Sequence, residues 1–379
     1  MSRPRSRIRF DLAVPRDDEA LRRLVGAVDM EGEIRVAFQR EPSYLEAAVV
    51  EGPDPQVLIA VDEVHREVIA TASRSVRARY VNGAPQSVGY LSALRCLDAY
   101  RGGTVLARGY AFLRELHEDA RAKFYVTTIT ADNAKALRAL AAGRKGLPTY
   151  EPSGDYHTLA IPARRRRRVR LPRGLRIRTA AETDLPVLLE FLERVGPNRQ
   201  FAPRYVESDF FRKNGTFRDL PAANIQLAFR DGRLVGTLAS WDQSGFRQSM
   251  VSGYGPLLRV LRPVHNVWAR LRRAPLLPPP GQALRYRMLA LPFVEQNDPE
   301  VFRALLDTTM DEHARRAARD PGCRLALLGM HESDPLLPAA RAYPSRTYLS
   351  RLFVVHWADG QSAYEGLDAR PVYLELGCL

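Results

Sequence analysis

Two kinds of hydrophobic spacing take turns along this chain, runs that alternate or are continuously apolar and stretches with apolar residues three or four apart. Between residues 88 and 97 the letters VGYLSALRCL place apolar side chains in both alternating sets, the pattern of a strand buried on both faces. Arg101, Gly102 and Gly103 break that pattern. Val105, Leu106, Gly109, Phe112, Leu113 and Leu116 then recur at helical spacing, which predicts an amphipathic helix.

The same reading extends in both directions from this unit. Residues 7–12 form a short strand, and Asp17 caps a helix running to about residue 28 with Ala20, Leu21, Leu24 and Val25 inward. Residues 29–53 are expected to be helical with loops. Two strands follow at 57–61 and 67–80, and Asn82-Gly83 marks a tight hairpin into a strand at 87–97. Beyond the central helix come a β-rich strand at 124–130, a helix at 132–142 and a strand at 156–161.

Past a basic stretch the pattern begins again. Ala13, Asp17, Ala72 and Ser73 correspond to Ala180, Asp184, Ala239 and Ser240 at a constant offset of 167 residues, which marks an internal duplication. In the second copy the expected strands are 285–294, 324–329, 348–357 and 371–376, with a helix at 299–317. An insertion at 242–283 carries SGYGP, the Arg-rich amphipathic stretch LLRVLRPVHNVWARLRR and LLPPP. It is expected either to cover the substrate, to form a partner surface, or to be a surface excursion. The division drawn is residues 1–163, an Arg-rich linker at 164–173, and residues 174–379.

The chemistry of the first copy centres on its glycine turn. Two glycines between a central strand and a helix N-terminus leave backbone N–H groups unpaired and aimed outward, an arrangement suited to pyrophosphate oxygens. The turn lacks the Gly-Lys-Ser/Thr ending of a P-loop and the third glycine of a dinucleotide fold. In the second copy the corresponding letters are Glu295-Gln296-Asn297-Asp298-Pro299-Glu300. Carboxylates there would repel a pyrophosphate, so only the first copy is expected to bind one.

Arg101-Gly102-Gly103-Thr104-Val105-Leu106 resembles the acyl-CoA loop of the GNAT superfamily of N-acetyltransferases, in which Arg/Gln-x-x-Gly-x-Gly/Ala follows the fourth strand. Arg101 and Gly102 fit the usual Arg-Gly, whereas Thr104 and Leu106 stand where small residues are usual. The order of elements and the duplication resemble bacterial tandem-GNAT proteins over nearly the whole length. That resemblance implies an α/β (α+β) fold of two GNAT-like domains, each a mixed, mainly antiparallel sheet flanked by helices. It also implies acetyl-CoA or CoA as the cofactor.

Residue by residue, the resemblance gives Cys96 and Leu97 as backbone contacts to the pantetheine arm, and Arg101, Gly102, Gly103, Thr104, Val105 and Leu106 as the pyrophosphate loop. Asn133 and Ala136 match the Asn-x-x-Ala that opens the next helix, where the asparagine side chain bonds the arm; a plain helix cap is the other role open to Asn133. Leu140 stands where the family often has a tyrosine acid. No acidic base occurs on the fourth strand, where Tyr90 and Ser92 lie. The catalytic candidates are Asp98, as a base through water or as a turn residue, and Tyr150, as a replacement acid or a packed aromatic. Cys96 is expected to pack and not to act as a nucleophile.

Composition narrows the rest. At 379 residues the chain can bury two cores. No apolar run approaches membrane-spanning length and the three cysteines are odd in number and far apart, so a cytoplasmic protein with no membrane partner, no disulfides and no metal is expected. The net charge of +14 is carried almost wholly by arginine, with Lys123, Lys135, Lys145 and Lys213 the four lysines. Nucleic acid is therefore a possible partner without being favoured, since the basic run at 164–168 has no aromatic interleaving. The expected activity is transfer of an acyl group from CoA to a small-molecule or peptide amine, with the acceptor unnamed and a homodimer left open. Alternatives are a non-catalytic acyl-CoA-binding or regulatory module and an aminoacyl-tRNA-dependent transferase.

Overall fold

The computed structural model describes residues 7–379 except 31, 142, 144, 145, 164–170 and 321. The basic run at 164–168 therefore lies outside the described residues.

In the first half, β1 (Ile8–Leu12) leads to α1 (Asp18–Gly26), whose Leu21, Leu24 and Val25 are buried. The Asp17 carboxylate accepts the Val14 N–H at 2.9 Å and so closes the turn into the helix. Then follow β2 (Asp29–Met30), β3 (Ile34–Gln39), α2 (Tyr44–Ala48), β4 (Gln56–Asp62), β5 (Glu67–Val81) and β6 (Ala84–Cys96). Asn82 and Gly83 sit at φ 52° and 82°, the left-handed pair that a two-residue hairpin turn requires. The half ends with α3 (Val105–His117), β7 (Tyr125–Thr130), α4 (Ala134–Leu140) and β8 (Thr149–Pro162).

The second half runs through the same order: β9 (Leu175–Thr179), α5 (Leu185–Val195), β10 (Ile225–Arg230), β11 (Arg233–Trp241), β12 (Gln248–Tyr254), α6 (Pro256–Arg272), β13 (Arg287–Val294), α7 (Pro299–Arg319), β14 (Leu325–His331), α8 (Leu337–Arg341) and β15 (Arg346–His356). Asp184 repeats the role of Asp17 and takes the Ala181 N–H at 2.8 Å.

The two halves share one sheet. Twelve strands lie in the order β1-β4-β5-β6-β7-β15-β8-β14-β13-β11-β10-β9. Within it, β6 with β7 and β13 with β14 are the parallel pairs. Each half contributes five strands from its own edge, and its closing strand crosses over: β15 pairs with β7, β8 pairs with β14, and β8 and β15 pair with each other. The sequence reading placed each closing strand in its own half; the structure exchanges them.

Three further elements differ from expectation. Residues 29–53 hold a strand pair before the short α2, because β3 finds its partner in β12 of the insertion, more than 200 residues on, and β12-β3-β2 make a separate small sheet. Residues 371–376 do not form a sheet strand, since β8 already occupies the edge of β14. They run through the interior instead, with one parallel bridge between Gln200 and Val372 and the Tyr156 hydroxyl on the Leu374 carbonyl at 2.8 Å. The segment after β14, to which the hydrophobic spacing assigned no element, turns once as α8.

Both fourth strands carry the same irregularity. Ala93 and Leu94 of β6 together face the single residue Ala72, and Ala93 has φ 53°. Leu291 and Pro292 of β13 face Leu238 in the same way, with Leu291 at φ 55°. Each is a β-bulge that bends its strand away from the parallel neighbour.

Candidate functional site

The bulge in β6 opens a gap in the sheet. Pairing of β6 with β7 is limited to Gly89 with Tyr125 and Tyr90 with Val126. The Thr127 hydroxyl donates to the Leu91 carbonyl at 2.7 Å, and beyond that point the two strands part. At Gly89 a Cβ would fall 1.9 Å from the Tyr125 ring, so only glycine lets the strands close up below the gap.

At the end of β6, the chain turns through residues 97–104 into α3. Residues 101–104 are all exposed. Gly102 has φ 80°, and a Cβ there would meet nothing within 4 Å. Thr104 is the N-cap residue and makes no side-chain cap bond. Among the described residues, no acceptor is bonded to the backbone N–H of Gly102, Gly103, Thr104, Val105 or Leu106. The positive end of a thirteen-residue helix thus faces outward with its donors unspent, a cradle that suits an anion.

The second half has lost this arrangement at both places. In front of α7 the Asp298 carboxylate accepts the N–H groups of Glu300 and Val301 at 2.9 and 3.3 Å. Glu295 is tied to Arg233 at 2.7 Å and to Arg194 at 3.2 Å, and Asn297 accepts from Arg199 at 2.6 Å. A cavity of ≈ 350 Å³ at this point is lined by Arg230, Arg233, Glu295 and Asp298, whose carboxylates already hold both guanidiniums. At the second bulge, the Leu291 N–H is taken at 2.9 Å by Glu375 from the interior segment.

The residues singled out in the sequence fall as follows. Asp98 and Arg101 pair at 2.6 Å on the outer side of the turn, and the Arg101 Nε donates to the Cys96 carbonyl at 3.1 Å. The Leu97 N–H is bonded to the Ile69 carbonyl at 2.9 Å, so that donor is engaged within the sheet. Cys96 packs against the cluster of Ala60, Ile69, Ala70 and Val105, and partial burial raises the pKa of its thiol. Asn133 caps α4 by accepting the Ala136 N–H at 3.0 Å, which leaves its amide nitrogen as the group it can offer a ligand.

Tyr150 lies in the core cluster with Tyr110 and Leu113 of α3, against which Leu106 also packs. Its ring is buried against Phe353 at 5.8 Å between centroids, and its hydroxyl is bonded to that of Tyr110 on α3. Burial, then the neighbouring Tyr110, push its pKa well above the ordinary value.

One polar group beside the bulge escaped the sequence reading. Glu51, just after α2, is 1% exposed and accepts the Ser92 hydroxyl at 2.6 Å. Its other oxygen bonds Arg40 and, at 2.7 Å, Arg247. Arg247 comes from the insertion, so three distant stretches meet on one carboxylate next to Ala93. No local pattern marks Glu51, which sits in the stretch whose strands could not be read.

No protein-family model and no curated protein matches the sequence. Solved structures do match its shape. A GCN5-related glucosamine N-acetyltransferase region of a fungal multi-domain GH3 β-N-acetylglucosaminidase superposes with a TM-score of 0.60 at 12% identity over 93% of this chain, which spans 38% of that longer protein. A GCN5-related N-acetyltransferase from Sphaerobacter thermophilus gives 0.54 at 15% identity, covering 92% of this chain and 95% of its own. The Saccharomyces cerevisiae N-myristoyltransferase with bound myristoyl-CoA gives 0.56 at 10% identity, covering 94% and 80%. With the bulged fourth strand, the parted parallel pair and the same order of elements in each half, this chain has the fold of the GCN5-related N-acetyltransferases in tandem.

Proposed function

We propose that the first half binds acyl-CoA and passes its acyl group, acetyl by expectation, to an amine on a small molecule or peptide. The observation that carries this reading is the contrast between the two helix fronts. Among the described residues the amides of residues 102–106 have no acceptor, whereas those opening α7 are capped by Asp298.

In this reading the bare amides of the α3 front hold the pyrophosphate, with the Arg101 guanidinium close by as added positive charge. The Asn133 amide and the β6 edge beyond Tyr90, freed from β7, hold the arm. Bound acyl-CoA supplies an activated thioester carbonyl. The protein's share is to align a neutral amine with it and to take up the amine's proton. Ser92, hydrogen-bonded to Glu51 beside the bulge, is placed to accept that proton and hand it to the carboxylate.

Thiol release from acetyl-CoA over a panel of amines tests the reading. Ser92→Ala is expected to lower kcat about tenfold or more while leaving KM for acetyl-CoA unchanged. Equal kcat in wild type and variant would remove Ser92 from the chemistry. Binding of CoA without turnover on any amine would favour a second reading, a non-catalytic acyl-CoA-binding module. That reading draws support from the burial of Tyr150 against Tyr110 and from the exposed pairing of Asp98 with Arg101.

A further inference from the structure

The insertion places an unusual surface on the outside of the molecule. Along α6, Leu257, Val260, Leu261, Val264, Trp268 and Leu271 are all exposed, Leu257 at 74% and Leu271 at 80%. At 3.6 residues per turn these positions share a face about 100° wide. Ala269 is the one buried residue of this seventeen-residue helix.

The outward aim of this face is built in. On the opposite side, Asn266 both donates to the Leu277 carbonyl and accepts the Leu277 N–H, each at 2.9 Å, and His265 Nε2 lies 3.2 Å from the Pro275 carbonyl oxygen. The proline-rich strap at 274–280 therefore holds the back of α6 and fixes its rotation. A surface excursion with no partner would carry polar residues on the free face.

Charge limits what can cover it. The helix contains Arg259, Arg262, Arg270 and Arg272 and no Asp or Glu. Arg259, Arg270 and Arg272 are exposed, and none has an ion pair among the described residues. Two copies of α6 packed face to face would bring like charges together. A broad apolar stripe bordered by unpaired arginines matches instead a surface that is apolar inside and anionic at its rim.

We propose that this chain docks peripherally on an anionic lipid surface through the outer face of α6. The helix would lie in the headgroup plane, with Trp268 and the aliphatic residues inserted and the arginines on lipid phosphates. None of the helices in the described residues is long and apolar enough to cross a membrane, so the contact is one of lying on the bilayer. It departs from the expectation of no membrane partner, which rested on spanning segments alone. Docking of this kind requires nothing of the α3 site.

The experiment is flotation of the full chain with vesicles of phosphatidylcholine alone or with about 30% phosphatidylglycerol, beside Val264→Glu/Leu271→Glu and Arg259→Glu/Arg270→Glu variants. All four positions are exposed, so the substitutions cost no packing. Binding is expected on the anionic vesicles at least about tenfold above the neutral ones, with a loss of about tenfold in each variant. Absence of binding, equal binding to both vesicles, or full binding by either variant would overturn the proposal. So would a vesicle-free dimer that the Val264→Glu/Leu271→Glu variant abolishes, because the face would then belong to a second copy.

Discussion

Glu375 is a carboxyl group that the fold keeps out of water, 2% exposed, with the Leu291 N–H at 2.9 Å and the Tyr373 hydroxyl at 2.7 Å. Burial outweighs these bonds and raises its pKa from 4.5 to about 7. A carboxyl group whose folded pKa lies above its unfolded one lowers stability as pH rises. Below 4.5 both states are protonated. Between 4.5 and about 7 the unfolded chain gives up the proton first, and above 7 the penalty is constant. His313, pushed down to about 4 mainly by burial, works in the opposite sense over much of the same range. The informative quantity is thus the difference between wild type and Glu375→Gln. Urea unfolding at pH 5 and pH 8 is expected to show the variant gaining stability relative to wild type as pH rises, by up to about 3 kcal/mol. An unchanged difference at the two pH values would contradict it. At this scale the sequence was only partly readable. Asp17 and Asp184 advertise themselves by position and repeat; each stands at the N-cap of its helix, but its carboxylate closes the turn before the helix and makes no cap bond to the helix's own N–H groups. Glu375 and Glu51 do not advertise themselves, since each becomes functional or costly only through partners brought from other parts of the chain.

Among the elements, local chemistry decided which were legible. Asn82-Gly83 and Asp231-Gly232 are residue pairs that accept positive φ, and both make hairpin turns, the first at the place expected. The strand and helix around the glycine turn follow from hydrophobic spacing alone. By contrast β3 is six residues whose pairing comes from β12, far along the sequence, so nothing local fixes it as a strand. The bulges at Ala93 and Leu291 are equally silent, because neither alanine nor leucine signals a left-handed backbone. Yet the bulge decides the site, since it parts β6 from β7 and brings Ser92 against Glu51. The glycine turn could be found in the sequence, whereas the gap beside it could not.

For the molecule as a whole, the duplication was plain in the letters, but the exchange of closing strands was not. An offset of 167 residues says that two units share a plan; it does not say which edge each last strand will choose. Because β7 is covered by β15 from the other half, a fragment of residues 1–163 would expose an unpaired central edge and lose the burial of Phe353 and Val355. Expressed alone, it is expected to be aggregated or unfolded by circular dichroism and gel filtration; a folded monomer with cooperative unfolding would count against the exchange as a stability element. The exchange also leaves the two helix fronts with different fates in a single body, one bare and one capped. Calorimetric titration with CoA tests that asymmetry most directly, on wild type, Gly102→Asp and Asp298→Ala. Aspartate tolerates the left-handed backbone at 102, meets no neighbour there and sets a carboxylate among the amides. One CoA per chain is expected, with affinity at least about tenfold weaker in Gly102→Asp and unchanged in Asp298→Ala. Affinity untouched by Gly102→Asp, or lost in Asp298→Ala, would contradict the assignment of the site to the front of α3.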